Sequence, residues 1–140
     1  MFVIMSAAYV GAELEAEIGK IVPCMLPIGN KKLLELQVQA VRERLPDEAI
    51  VLALPESYEL RIDEQTLVDQ LNVHVCAVPD GFEFAAGLLY VLNIECGKDV
   101  GTIRVLQGHT LIVDLPTASD LIAVADRPRL YEWHTEQEQD

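Results

Sequence analysis

Phe2-Val3-Ile4-Met5-Ser6-Ala7-Ala8 is an apolar stretch with no charged residue. A run this short and this continuous reads as a β-strand buried on both faces, the pattern of a central strand in a parallel sheet. It lacks a basic n-region and is too short to act as a signal peptide. From Tyr9 to Asn30 the chain is a loop rich in Gly and Pro, with room for a short helical turn around Glu13–Glu17. The fold is read outward from this strand–loop pair.

Beyond the loop, Lys31 to Leu45 carries Leu33, Leu34, Leu36, Val38, Val41 and Leu45 at the spacing of an amphipathic helix, with Asn30 as its expected N-cap. Ala49–Leu54 is a second buried strand, closed by Pro55. Asp63–Leu71 is a shorter helix, and Val73–Val78 a third strand. Pro79-Asp80-Gly81 is a turn. Phe84–Cys96 is helical, with Gly97 suited to its C-terminal cap. Thr102–Leu106 is a fourth strand, and Leu111–Val113 and Leu121–Ala125 are two short ones. Alternation of this kind predicts an α/β fold, an open, mostly parallel sheet with helices on both faces. Ligands of such sheets bind at the carboxyl ends of the strands. Residues 1–128 are read as one α/β domain and 129–140 as an acidic polar tail.

Composition narrows the function. The chain has 140 residues, 51% of them hydrophobic, enough for one domain with a real core. Its net charge of −13 argues against nucleic acid or an anionic membrane as main partner, since both would be repelled. A small phosphorylated ligand needs only a few local donors and remains open. Cys24, Cys76 and Cys96 are widely spaced and form no CxxC, so they read as buried free thiols of a cytoplasmic protein, not as a disulfide or zinc framework.

The loop after the first strand carries Gly11, Gly19 and Gly29, with Lys20 inside it. Glycines let backbone amides approach a phosphate, and a lysine there offsets its charge. The stretch matches neither the P-loop nor GxGxxG, and solvent-facing glycines without a ligand are the other reading. Ala7-Ala8-Tyr9-Val10-Gly11, followed by Pro23-Cys24-Met25-Leu26-Pro27-Ile28-Gly29-Asn30-Lys31-Lys32-Leu33-Leu34-Glu35, resembles the opening of the sugar-phosphate nucleotidylyltransferases. Val105-Leu106-Gln107-Gly108-His109 falls where that family has a strand ending in Gly-Asp, and Gly87-Leu88-Leu89-Tyr90 where it has a helix near the nucleotide base.

The resemblance implies a Rossmann-like fold of the nucleotide-diphospho-sugar transferase type, truncated to the nucleotide-binding half. It implies a nucleoside triphosphate or sugar nucleotide as ligand, bound by Ala7, Ala8, Tyr9, Gly11, Pro23 and Gly87, and Mg²⁺ as cofactor. It also implies synthesis of NDP-sugars for capsule or another surface polysaccharide. Three positions depart from the family: its Arg, Lys and metal-binding Asp fall on Glu13, Cys24 and His109. Glu13-Leu14-Glu15-Ala16-Glu17-Ile18-Gly19-Lys20-Ile21 is similar to the variant opening of some polysaccharide-locus relatives, and it leaves Lys20 as the candidate catalytic cation. His109 is either a ligand for a softer metal, with Asp114 beside it, or a hydrogen-bonded structural residue. The functional expectation is therefore an enzyme, or a catalytically degenerate nucleotide-binding or assembly module that holds a nucleotide or a partner protein without turnover. Truncation of a family-like sheet predicts an exposed apolar patch and hence a homodimer.

Overall fold

The computed structural model of the chain describes residues 1–95 and 103–111. The expected strands at 111–113 and 121–125, the Gly97 cap, Cys96, Asp114 and the 129–140 tail lie wholly or mainly outside the described residues. The described strands are β1 (Phe2–Met5), β2 (Pro27–Ile28), β3 (Lys31–Lys32), β4 (Ile50–Pro55), β5 (His74–Val78) and β6 (Arg104–Gln107). The α-helices are α1 (Ala12–Ile18), α2 (Leu33–Arg44), α3 (Ile62–Leu71) and α4 (Phe84–Glu95), with a 3-10 turn at Pro23–Met25.

β1, β4, β5 and β6 form one sheet in the order β5-β4-β1-β6, every pair parallel. The register sets Phe2 beside Ile50 and Arg104, and Met5 beside Ala53 and Gln107. β1 is buried at every position, as its uninterrupted apolar sequence requires. Its alternate residues serve two cores. Phe2 and Ile4 join Ile50, Leu52, Leu54 and Leu106 against Leu34, Val38 and Val41 of α2 and Val68 of α3. Val3 and Met5 join Val51, Ala53, Cys76 and Val78 against Val91 of α4. Helices thus cover both faces, as expected. Each fully buried side chain of β1 contributes roughly 1.5–3 kcal/mol relative to exposure.

The loop between β1 and α2 holds more structure than the sequence indicated. Pro27–Ile28 and Lys31–Lys32 pair antiparallel around Gly29-Asn30, and Gly29 takes φ +65°. A two-residue hairpin loop of this hand places glycine first because the first position needs positive φ. Asn30 therefore sits in the turn and does not cap the helix. Lys32 holds the N-cap position of α2, and its N–H is bonded by Glu35 Oε1 at 3.4 Å. The helix starts two residues later than expected because the hairpin claims Lys31 and Lys32.

α4 is apolar from Phe84 to Leu92, with Asn93 and Glu95 as its polar residues, yet only Gly87 and Val91 are buried. Leu89 and Ile94 remain exposed. Among the described residues no helix is long and apolar enough to cross a membrane.

Two glycines test this packing in opposite senses. A Cβ on Gly108 would lie 2.6 Å from Ser6 Cβ and Oγ and 2.7 Å from its Cα. A Cβ on Gly87 would meet the flexible end of Met5 at 3.3 Å, Val78 Cγ1 at 3.6 Å and Phe82 Cβ at 4.0 Å. Gly108→Ala is expected to cost at least about 1–3 kcal/mol. Gly87→Ala should fall within about 1 kcal/mol of wild type, because a helical Gly→Ala change gains about as much as the contact loses. Urea midpoints of the two variants check this.

Candidate functional site

The sheet order creates a switch point. From β1 the chain crosses one way to β4 and β5, and later returns to the other side of β1 as β6. Open α/β sheets bind ligands outside the carboxyl ends of the strands at such a point. Here that edge comprises Ser6–Lys32 after β1, Glu56–Tyr58 after β4, Pro79–Gly81 after β5 and Gly108–Thr110 after β6.

The β1/β6 side is tightly built. Gly108 N–H donates to Met5 O at 2.7 Å, and Thr110 N–H to Gln107 O at 3.0 Å, which turns the chain sharply after β6. Gln37 of α2, fully buried, donates through Nε2 to Gly108 O at 3.0 Å and Thr110 O at 2.9 Å. Among the described residues its Oε1 is buried without a hydrogen-bond partner, an arrangement that costs about 1–3 kcal/mol. This clamp positions His109, which is exposed at the carboxyl end of β6, an outer strand of the described sheet.

On the other side of β1, three strand-end loops meet. Val10 N–H donates to Ile21 O at 3.0 Å, closing the excursion that carries α1 and bringing Lys20 back beside Tyr9. Lys20 Nζ sits 4.3 Å from the Tyr9 ring centroid, a cation–π contact. Tyr9 Oη lies 2.7 Å from Ser57 Oγ. Ser57 donates its N–H to Asp80 Oδ1 at 3.2 Å and its hydroxyl to Asp80 Oδ2. A hydroxyl has one proton, so the Tyr9 hydroxyl is the donor to Ser57. These contacts hold the Asp80 carboxyl below its ordinary value of 3.8, with Ser57's hydroxyl first, its N–H second and Lys20 adding to the pull. The relay is a row from Lys20 and Tyr9 through Ser57 to Asp80.

Behind it, Tyr58 meets the Tyr9 ring edge-on at 6.0 Å between centroids. Tyr58 Oη lies 2.9 and 2.8 Å from the two oxygens of Glu64, a carboxylate with no exposed surface. Arg61 bonds the same carboxylate through its N–H at 2.9 Å and its guanidinium at 3.3 Å. Burial, and then the bond to Glu64, holds the Tyr58 phenol above its ordinary range. The Tyr9 ring is thus gripped at its hydroxyl and along its edge.

The predicted residues divide. Tyr9 and Lys20 are brought together, with Ala7, Ala8 and Gly11 on the same loop. Pro23 is half-buried and starts the 3-10 turn. Gly87 lies buried in α4 against Met5 and Val78, where its lack of a side chain serves helix–sheet packing. Glu13, Glu15 and Glu17 are all exposed on α1, which buries nothing. Cys24 is buried, and its N–H is bonded by Ser6 Oγ at 3.1 Å. Burial pushes its thiol from 9.0 up to about 12, outweighing the lowering contact with Ser6.

Asp114 lies outside the described residues. Among the described residues no group of three or more His, Cys, Asp or Glu is arranged to hold a metal. Mg²⁺ takes oxygen ligands, and the described part of the β6 turn offers it an imidazole.

Sequence reasoning missed Ser57, Asp80 and Gln37. The first two carried a usable signal, since each follows a predicted strand at its carboxyl end. Grooves of ≈ 430 and ≈ 450 Å³ lie elsewhere, between α2 and α3 and at the opposite edge of the sheet. Arg42 lines both and already donates to the carbonyls of Pro46, Leu71 and Asn72, which marks these grooves as seams between packed elements. No family model, curated protein or solved structure matches the chain.

Cys24 supplies a test of the loop. Its stability contribution is complete below the ordinary thiol value of 9.0 and is lost as pH rises toward about 12, because only the unfolded thiol ionises in that window. At pH 8 a thiol reagent is expected to leave Cys24 unmodified in the native protein and to label it on unfolding, as read by mass spectrometry of the Cys24 peptide.

Proposed function

We propose that the chain is a nucleotidyltransferase-like domain of Rossmann-like, nucleotide-diphospho-sugar transferase type. In this reading it holds a nucleoside triphosphate or sugar nucleotide at the carboxyl edge of its sheet and serves the making of activated sugars for a surface polysaccharide. The observation that carries the reading is the meeting of Lys20 and Tyr9 at the end of β1, beside the switch point. Lys20 offers three N–H donors to a phosphate, and its aliphatic stem leaves it free to swing from the ring. The Tyr9 ring is a fixed platform for a planar base. Gly108 and the Gln37 clamp hold the β6 turn within the same edge.

A second reading, binding without turnover, is favoured by Cys24. The position where the resemblance puts a phosphate-binding lysine is a buried thiol, protonated at neutral pH. Glu13 is exposed on the same loop and repels a polyphosphate. Loss of one preorganised donor costs on the order of 10²–10³ in rate, and two such losses bring turnover near background even when only partly additive.

The isolated chain is accordingly expected to release little or no pyrophosphate from nucleoside triphosphates and common sugar 1-phosphates in a coupled assay. Any residual release should vanish in Lys20→Ala. Robust turnover that survives Lys20→Ala would overturn the role given to that lysine and the second reading. Binding is tested apart from turnover by a thermal-shift screen of nucleoside triphosphates and sugar nucleotides. A ligand at about 100 times its Kd should add roughly 2.7 kcal/mol of stability.

A further inference from the structure

Lys20 does not stand alone at the carboxyl edge. The relay from Tyr9 through Ser57 ends in the Asp80 carboxylate, so the loop after β5 delivers a fixed negative charge into the neighbourhood of that ammonium. Asp80 is exposed, and its two oxygens are aimed by two donors of one residue, Ser57. Glu56 at the end of β4 and Glu13, Glu15 and Glu17 on α1 are exposed acids around it. Of the nearby cations, Lys31 is exposed on the β2–β3 hairpin, Lys32 is paired with Asp63 at 3.4 Å and Arg61 with Glu64 at 3.3 Å. Lys20 is the one basic residue between β1 and the hairpin. The pair of Lys20 and Asp80 is close to neutral, on an edge whose remaining charges are acidic in excess: Glu13, Glu15, Glu17 and Glu56 against Lys31 and Lys32.

Such a site discriminates by ligand charge. The terminal phosphate of a nucleoside triphosphate brings about −1.5 to −2 of charge that the diphosphate diester of a sugar nucleotide lacks. The second ligand keeps the base and the two inner phosphates but meets less repulsion. We propose that Asp80 is a specificity-determining residue of this site: by sharing the Lys20 ammonium it disfavours nucleoside triphosphates and leaves sugar nucleotides as the ligand class bound. This rests on the reading of the carboxyl edge as a nucleotide site. It assigns to that site the product side of nucleotidyl transfer, and it gives a reason, independent of Cys24, for low turnover. In a reaction sequence the chain would then stand after the step that makes the sugar nucleotide, holding or passing on that compound.

The experiment compares Asp80→Asn, Lys20→Ala and the double variant with wild type by isothermal titration. The probes are five nucleoside triphosphates (UTP, TTP, CTP, GTP and ATP), each paired with a diphosphosugar of the same base. Asn keeps an oxygen to accept from Ser57, and an unchanged thermal midpoint checks that the relay and fold survive. Wild type should bind a sugar nucleotide more tightly than its matching triphosphate. Asp80→Asn should tighten the triphosphate about tenfold and the sugar nucleotide about threefold at low ionic strength, as expected of one exposed charge acting on ligands of unequal charge. The difference should shrink at high salt. In the Lys20→Ala background most of the gain should disappear.

Equal tightening of both ligand classes, no tightening, or the full gain without Lys20 would overturn the role of Asp80 while leaving nucleotide binding in place. Absence of binding by every probe to wild type and Asp80→Asn alike would overturn both this inference and the reading beneath it.

Discussion

The described structure depends on how closely β6 can lie against the end of β1. Ser6 is buried where β1 leaves the sheet. Its N–H donates to Ala53 O at 2.9 Å and its Oγ accepts from Cys24 N–H at 3.1 Å. On its other side Gly108 N–H reaches back to Met5 O, with no space between the two chains for a side chain on Gly108. One serine thus ties β4, the loop after β1 and β6 to a common point. The switch in strand order, and the edge that results from it, follow from that close approach. A bulkier residue at Gly108 would force β6 outward and uncouple the Gln37 clamp from the turn bearing His109.

The architecture was legible because burial leaves a coarse signature. Phe2-Val3-Ile4-Met5 and Ile50-Val51-Leu52-Ala53-Leu54 are apolar without alternation, and only a strand covered on both faces tolerates that. The period of α2 is equally clear: Leu33, Leu34, Val38 and Val41 face the sheet. The errors fell where local backbone chemistry competes with such patterns. Asn30 is a favoured helix cap, but it follows a glycine at positive φ, and the hairpin took both residues. Ser6 and Gln37 gave no warning, because a polar residue within an apolar pattern reads as exposed until its partner is known, and both partners are far away in sequence.

The candidate site was half legible for a related reason. Lys20 stood out as a cation on a glycine-rich loop, and Tyr9 entered only as a position of the family-like stretch. Their contact depends on the Val10–Ile21 backbone bond that closes the excursion, which no local pattern announces. Ser57 and Asp80 belong to different loops and carry no motif. They become a unit only because parallel strands β4 and β5 deliver their carboxyl ends side by side, pairing Pro55 with Val78. Topology assembles the relay, and a linear reading sees turn residues.

The relay's purpose is better sought in orientation than in stability. Its members are largely exposed, and exposed ion pairs and hydrogen bonds of this kind contribute about 0–1 kcal/mol each. The anchoring contacts behind it are of another order: Glu64 has no exposed surface and is bonded by Tyr58 and Arg61, so removing either side chain leaves a buried carboxylate with fewer donors. The result is a rigid support carrying a surface layer that adds little to folding. Tyr9 is held at its hydroxyl and its edge, while Lys20 over its face is a flexible side chain. A cation–π contact at an exposed site is worth about 0.5–1 kcal/mol, small enough for a ligand's phosphate to displace. Fixed groups beneath and one exchangeable cation above are what a binding surface needs, because the entropy of ordering Tyr9, Ser57 and Asp80 has already been met by the fold before any ligand arrives.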